Sequence, residues 1–269
     1  MKKTLQIVNI VVFAITIFMN YASSAGLFNG ATQAEISAKY SNMFTPAGYA
    51  FSIWGLIYLL LFGFVIYQSR SLIVKVRDDD FIQKTGWWFT LSCLANSLWC
   101  YLFVSDYILA SVVVIFFLLF CLFKIVYKNS MELWDAPIAV ILFIWWPFVF
   151  YSGWLTVACI ANVSVYLTKI EWNAFGLSHQ FWTIVMIVIA TGINLAITWT
   201  RNMREFALVG AWALVAISVA NYNIEEAVVY CALITGGLLL VSSSVHAIKN
   251  KDTSPYQKCL EYLNKEPNS

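Results

Sequence analysis

The sequence is short of charge. Asp, Glu, Lys and Arg make up 11% of its 269 residues, against ~25% in an ordinary soluble domain, while hydrophobic residues reach 61% against ~45–50%. The shortage is greatest inside the apolar runs. Asp135, Glu171, Glu225 and Glu226 fall at run ends, His179 in a connection and His246 near a run end. Proton pumps and ion-coupled carriers usually place such groups within the membrane, so the pattern argues against pumping and leaves facilitated passage open. It also removes the usual acids, bases and nucleophiles of catalysis. No catalytic triad, metal site or nucleotide loop is visible, and the expectation is a protein that is not an enzyme. Cys93, Cys100, Cys121, Cys159 and Cys231 lie within runs and Cys259 in the tail. They show no CxxC spacing, so packing is expected of them rather than a disulfide or zinc framework.

The long apolar runs cover about 5–22, 47–68, 86–104, 107–127, 138–168, 181–199, 206–221 and 227–247. Most reach or approach the ~20 residues that cross a bilayer as a helix. Lys2 and Lys3 fix one side. On that side the connections carry fourteen Lys and Arg, and the other side carries only Lys39 and Lys169, which accounts for all 16. Such asymmetry orients membrane helices with the positive side in the cytoplasm. The fold class expected is therefore all-α, a polytopic membrane bundle of about eight helices with both termini cytoplasmic, bacterial inner membrane being the plain reading. A net charge of +2 is explained by orientation and does not point to nucleic acid.

Local signals refine this outline. Lys2-Lys3, an apolar stretch and Ala22-Ser23-Ser24-Ala25 resemble a signal peptide, but the stretch exceeds the usual ~7–15-residue core, so a retained first helix is favoured. Thr32 and Glu35 have capping-box spacing and predict a short surface helix over Ile36–Tyr40. Pro46 suits the first turn of the second span. Asp78-Asp79-Asp80 reads as a solvated, helix-capping run. Ser105-Asp106 makes a tight hairpin between spans three and four. The run 138–168 is long enough to tilt or kink, with Pro147 as the site.

Aromatic residues make up 17% of the chain, with 12 Trp. Trp87, Trp88, Trp172 and Trp199 suit an interfacial belt. Three other sets share helix faces by spacing: Phe51, Trp54, Tyr58 and Phe62; Asn96, Trp99 and Phe103; Tyr151, Trp154, Ala158 and Asn162. If these faces converge, they line a cavity with flat aromatic walls and two amides, suited to a planar, mostly apolar ligand. The alternative is helix–helix packing, with the Asn side chains bonding across helices.

These residues resemble the tryptophan-rich sensory protein family (TspO/MBR), which includes the mitochondrial translocator protein. Its second-helix pattern Pro-Pro-x-Trp-Val-Phe-x-x-Val-Trp-x-x-x-Tyr is met by Pro46, Trp54 and Tyr58, with Phe51 one residue closer to Trp54 than the pattern has it. Asn-x-x-Trp-x-x-x-Phe is met by Asn96, Trp99 and Phe103. Pro-Tyr-x-x-Trp-x-x-x-Ala-x-x-x-Asn is met by Tyr151, Trp154, Ala158 and Asn162, with Phe150 at the proline position. The resemblance covers about residues 1–170. It implies a five-helix bundle whose cavity binds porphyrins, other tetrapyrroles or sterols beneath the loop between helices one and two. Carried over, the ligand site is Tyr49, Phe51, Trp54, Tyr58, Asn96, Trp99, Tyr151, Trp154 and Asn162, and the lid is the 23–46 loop. No cofactor or metal is implied beyond a bound tetrapyrrole or lipid. Membrane lipids, a hydrophobic ligand and a second copy in a homodimer are the implied partners. Val163, Tyr166 and Lys169 also match a weak cholesterol-contact pattern.

On this reading residues 171–249 add three spans and 250–269 form a cytoplasmic tail. Gly210, Ala213, Ala216 and Ala220 give span seven a small-residue face for close packing. Asn194 in span six needs a polar partner, for which Asn96 or Asn162 is available. The expected function is a sensor or trafficking protein for a planar hydrophobic ligand. A small-molecule transporter or a ligand-free structural subunit is the alternative, although no inverted repeat of the carrier kind is apparent. Photochemical breakdown of a porphyrin is implied by resemblance alone.

Overall fold

The computed structural model describes residues 1–76 and 79–264, so Arg77, Asp78 and Lys265 lie outside the described residues. Among the described residues all regular structure is helical. The elements are α1 (Lys2–Ser24), α2 (Gln33–Lys39), α3 (Ile53–Ser69), α4 (Phe81–Thr85), α5 (Trp88–Val104), α6 (Ile108–Lys128), α7 (Ile138–Val140), α8 (Trp146–Lys169), α9 (His179–Arg201), α10 (Arg204–Ala220), α11 (Glu226–Lys249) and α12 (Pro255–Leu263). Eight of them, α1, α3, α5, α6, α8, α9, α10 and α11, fall on the eight apolar runs. Six segments are long and apolar enough to cross a membrane: Lys2–Ser24, Gly48–Leu72, Ile108–Lys128, Ile138–Lys169, His179–Arg201 and Glu226–Lys249. The other two helices, α5 and α10, have 17 residues each, at the short end of the ~17–25 that span a bilayer. The molecule is an all-α membrane helix bundle.

Because the helices alternate, the two termini share one face, here the terminal face. Opposite lies the lid face, which carries α2. The span Ile138–Lys169 has 32 residues, about 48 Å at ~1.5 Å per residue, well beyond a ~30 Å hydrocarbon core. It is irregular at Ile141–Trp145, a π turn directly before Pro147, which has no N–H to give the preceding turn.

In lipid a buried polar group must find its partner inside the protein, and α1 shows how this is met. Its bundle-facing side carries Gln6, Asn9, Thr16 and Asn20, all buried. Gln6 donates to the Gln68 carbonyl (2.5 Å) and Ser71 Oγ (2.8 Å), and Asn9 donates to Gln68 Oε1 (3.0 Å) and accepts from Thr90 (2.8 Å). Thr16 reaches the Cys93 carbonyl at 3.1 Å. The first helix is thus stitched to α3 and α5. The acid run differs from its expected solvated form. Asp79 is buried and pairs with Lys2, and Asp80 precedes α4 without a side-chain cap.

Residues 179–249 form a second group of helices organised around α10, which packs on α8, α9 and α11. Small residues permit this. A Cβ on Gly153 of α8 would stand 3.3 Å from Phe206 and Val209 of α10, and Gly236 of α11 faces Leu214 and Ala211. Ala213 and Ala216 are fully buried. Asn194 bonds neither Asn96 nor Asn162, contrary to expectation. Its amide donates to the Ala190 carbonyl at 2.8 Å, and the side chain lies flat against Gly210, because α9 meets α10 rather than the aromatic faces of α5 and α8. A Cβ at Gly210 would be 2.5 Å from Asn194 Oδ1. Gly210→Ala is therefore expected to destabilise the protein by about 1–3 kcal/mol through overpacking, read as a lower Tm in mild detergent. Adding Asn194→Ala should recover most of the loss. A single variant as stable as the wild type would refute this contact.

Candidate functional site

Three helices bring the aromatic faces together. Trp54 on α3 is the central ring. It stacks on Tyr58 (centroids 5.6 Å apart, 17° between planes) and meets Tyr151 edge-on at 5.7 Å, Trp154 edge-on at 6.4 Å and Trp99 at 6.2 Å. Phe51 touches Trp154 at 6.1 Å, and Trp99 stacks on Phe103 at 5.2 Å. Two expected residues do not join: Tyr49, implied by the resemblance, and Phe62, placed by spacing. Tyr49 is exposed and packs edge-on against Trp212 of α10 at 5.2 Å, because the chain is a 3₁₀ turn over Gly48–Ser52. Phe62 is exposed; eight residues after Trp54 it is rotated by about 80°.

The two amides have different tasks. Asn96 Oδ1 accepts from Asn20 Nδ2 (2.7 Å) and from the Tyr58 hydroxyl (3.4 Å), while its Nδ2 donates to the Tyr151 hydroxyl. One side chain so joins α1, α3, α5 and α8. Asn162 Oδ1 accepts from Trp99 Nε1 at 2.8 Å, and its Nδ2 donates to Ser111 Oγ at 3.0 Å, tying α5, α6 and α8. Asn20 and Ser111 were missed in the sequence. Their signal is an amide and a hydroxyl inside otherwise apolar runs.

Above this cluster is an inner pocket of about 50 Å³ walled by Phe51, Trp54, Trp99, Trp154 and Asn162. The indole N–H groups of Trp54 and Trp154 are buried without a hydrogen-bond partner. A much larger cleft, about 1,200 Å³, lies beside it and shares Ser37, Thr45, Pro46 and Phe51 with it. The cleft exists because α9 leans on α10 and α11 and barely touches α8. Its walls are Ile160, Val163 and Leu167 of α8, Phe116 of α6, and Trp182 and Met186 of α9. Val163 of the cholesterol-contact pattern is thus a wall residue, while Lys169 is engaged elsewhere. Trp172, expected in an interfacial belt, sits at the rim with Phe175 and Trp182, the rings 5.2–6.2 Å apart.

The lid is held at two ends. The capping box on Thr32 and Glu35 starts α2, three residues before the expected Ile36. At its far end Lys39 Nζ and Tyr40 OH each donate to Asp106 Oδ2 at 2.9 Å, and Lys169 Nζ donates to Asp106 Oδ1 at 2.9 Å. Asp106, in the hairpin between α5 and α6, gathers both lysines of the lid face. On the other side Ala47 N–H donates to the Ala216 carbonyl at 3.0 Å, Trp212 Nε1 to the Ala50 carbonyl at 3.2 Å and Asn221 Nδ2 to the Met43 carbonyl at 2.9 Å. Helix α10 therefore anchors the segment that roofs the cleft.

Partial burial works to raise the Asp106 carboxyl, but hydrogen bonds from Lys39, Lys169 and Tyr40 outweigh it and hold the group at about 2. A depressed carboxylate contributes stability that is present above its unfolded value near ~4 and is lost as pH falls towards the folded value. Acidification from pH 4 to 2 is expected to release the lid, read as faster amide exchange over residues 33–47. Asp106→Asn should do the same at neutral pH and cost about 1 kcal/mol; exchange in that variant equal to the wild type would show that the lid does not depend on this contact. Asn96→Leu should cost about 2–4 kcal/mol, since it leaves the buried Tyr151 hydroxyl without its partner and leaves Asn20 only the Thr16 carbonyl at 3.2 Å, and is read as a fall in Tm.

No curated protein and no solved structure matches the chain. A family model described as TSPO-like protein matches residues 6–245, from α1 into α11. With nearly the whole helical bundle inside the match, the chain belongs to the TSPO-like protein family.

Proposed function

We propose that this membrane protein binds a planar hydrophobic ligand, tetrapyrrole-like or sterol-like, in the cleft beneath its lid, and acts as a sensor of that ligand or in its trafficking. The observation that carries the reading is the pair of unpartnered indole N–H groups at the inner pocket. A buried donor left unbonded costs ~1–3 kcal/mol, and an acceptor on a ligand edge placed there would remove that cost at both Trp54 and Trp154. At about 50 Å³ the inner pocket admits one small substituent, whereas the adjoining cleft of about 1,200 Å³ exceeds the ~300–1,000 Å³ of common small-molecule sites. The body of the ligand lies in the cleft, against Phe51 and the α8 wall, and one polar edge reaches inward. Aromatic faces suit a flat ligand because stacking adds to the area buried.

The core argues for binding over passage. Between the aromatic cluster and the terminal face, Phe64, Phe89 and Phe148 pack on one another at 4.9–6.0 Å. Ligand therefore enters and leaves on the lid side. Protoporphyrin IX titrated into the detergent-solubilised protein should quench tryptophan fluorescence saturably. Trp154→Ala should weaken binding about tenfold or more, as loss of one stacked ring and one donor predicts. Unchanged affinity in a folded Trp154→Ala variant would place the ligand elsewhere.

A further inference from the structure

We propose that the cleft between α8 and α9 selects lipophilic cations over anions of the same shape. The inference rests on the cleft being a ligand site, as argued above, but not on the ligand being a tetrapyrrole, and it narrows the class of ligand to molecules with no acid group inside the cleft; the two propionates of protoporphyrin IX would have to stay outside it.

The charge balance of the lid face is the starting point. Its only two amines, Lys39 and Lys169, both converge on Asp106 and neither lines the cleft. The same face carries five carboxylates: Glu35, Asp106, Glu171, Glu225 and Glu226. Asp106 is matched by the lysines, Glu35 by the capping box and Glu225 by Gln180 Nε2 at 2.9 Å. Glu171 lines the cleft, where it is the sole Asp, Glu, Lys or Arg. It stands at the rim in a segment whose backbone is left-handed at Glu171, Ala174 and Phe175 (φ 51°, 55° and 53°). That conformation is uncommon outside glycine and is held here by Trp182 Nε1, which donates to the Ala174 carbonyl at 2.9 Å.

The other lining groups favour a cation too. Trp172, Phe175 and Trp182 stand at the rim beside Glu171, and aromatic faces attract cations through the ring quadrupole, more strongly where water is excluded. The polar lining is divided. The indole of Trp182 is taken by Ala174, and the amides of Asn42 and Asn221 are spent on the Tyr40, Met43 and Ile217 carbonyls, while Trp172, Asn173 and His179 also line the cleft with donors of their own. The selectivity therefore rests on charge and on the ring faces: a carboxylate or sulfonate in the cleft would face the like charge of Glu171. A diffuse cation with an apolar shell loses little hydration on entering and gains from both the carboxylate and the rings.

The test uses two ions of one shape. Tetraphenylphosphonium and tetraphenylborate are titrated by calorimetry into the full-length protein in mild detergent, each against protein-free micelles. Alongside are Glu171→Gln, which removes the charge, and Met186→Trp, which fills the middle of the cleft. The expected result is saturable phosphonium binding about tenfold or more tighter than borate, weakened roughly threefold to tenfold by Glu171→Gln, as one carboxylate beside a partly desolvated cation predicts, with borate unaffected by that change. Met186→Trp should weaken both ions. Equal affinities, tighter borate binding, or phosphonium affinity unchanged in Glu171→Gln would overturn the selectivity and, if Met186→Trp still matters, leave the cleft standing as a site. Binding of both ions indifferent to Met186→Trp would overturn the selectivity together with the cleft itself.

Discussion

A polar side chain buried in a bilayer can bond only to the protein around it, and the whole bundle is arranged around that constraint. Asn96 is its centre. Its amide has one carbonyl and one NH₂, and between them they engage α1, α3 and α8 from a position on α5. Without water to take over these bonds, the relative rotation of four helices is fixed to whichever setting satisfies them. The aromatic cluster follows from that setting. Trp54 meets Tyr151 and Trp154 because Tyr58 and Tyr151 must each turn a hydroxyl to Asn96. Asn162 repeats the device one level towards the lid, joining α5, α6 and α8 through Trp99 and Ser111. The rings supply area and shape; the amides decide which rings meet.

Helices α9–α11 solve a different problem. They attach through α10, whose small residues let it lie close to α8, α9 and α11 at once. Attachment by one helix leaves α9 free to stand away from α8, and that separation is the cleft. The same α10 and its C-cap Asn221 share three hydrogen bonds with the segment between Met43 and Ala50, accepting one from the Ala47 N–H and donating from Trp212 and Asn221. The roof over the cleft is thus fixed by the helix that opens it on the other side, and changes in the packing of α10 reach the roof and wall together. The family match runs through this region as well.

Much of this was legible in residue order, for physical reasons that can be named. Run length and the Lys/Arg imbalance report directly on the bilayer, so eight helices and their alternation could be read without tertiary knowledge. Spacing of three and four brought Trp54, Tyr58, Asn96, Trp99, Tyr151, Trp154 and Asn162 to shared faces, and those residues do meet. Spacing does not carry where rotation accumulates or the helix is not ideal. Phe62 has turned to the lipid side, and the 3₁₀ turn at Gly48–Ser52 keeps Tyr49, which the resemblance implied, out of the cluster. Nor does residue order name the partner of a buried polar group: Asn194 bonds its own helix and rests on Gly210. The cleft itself was not legible, because a gap between helices leaves no periodic trace. Its rim residue Trp172 looked like any interfacial tryptophan. The role of Asp106 could have been inferred, since the lid side holds just two lysines and a single aspartate.

The contrast between the two cavities has a consequence for how the site works. The inner pocket is small and walled by Trp54 and Trp154, whose indole donors are unsatisfied; the cleft is large and walled mainly by apolar side chains. A ligand that only filled the cleft would gain apolar burial, and one that only reached the indoles would not fit. Under the proposed function, affinity would depend on a molecule long enough to do both, with a flat apolar body and one acceptor edge. Such a molecule must pass Phe51, which belongs to both cavities and packs on Trp154. Phe51 sits in a 3₁₀ turn directly before α3, at the lid-side end of its span, and the hydrogen-bond geometry of such a turn is poorer than that of an α-helix. Its neighbour Ala50 is held by Trp212 of α10. Movement of that turn would couple occupancy of the indoles to the roof and to α10, which gives a binding event in the membrane a route to the lid face.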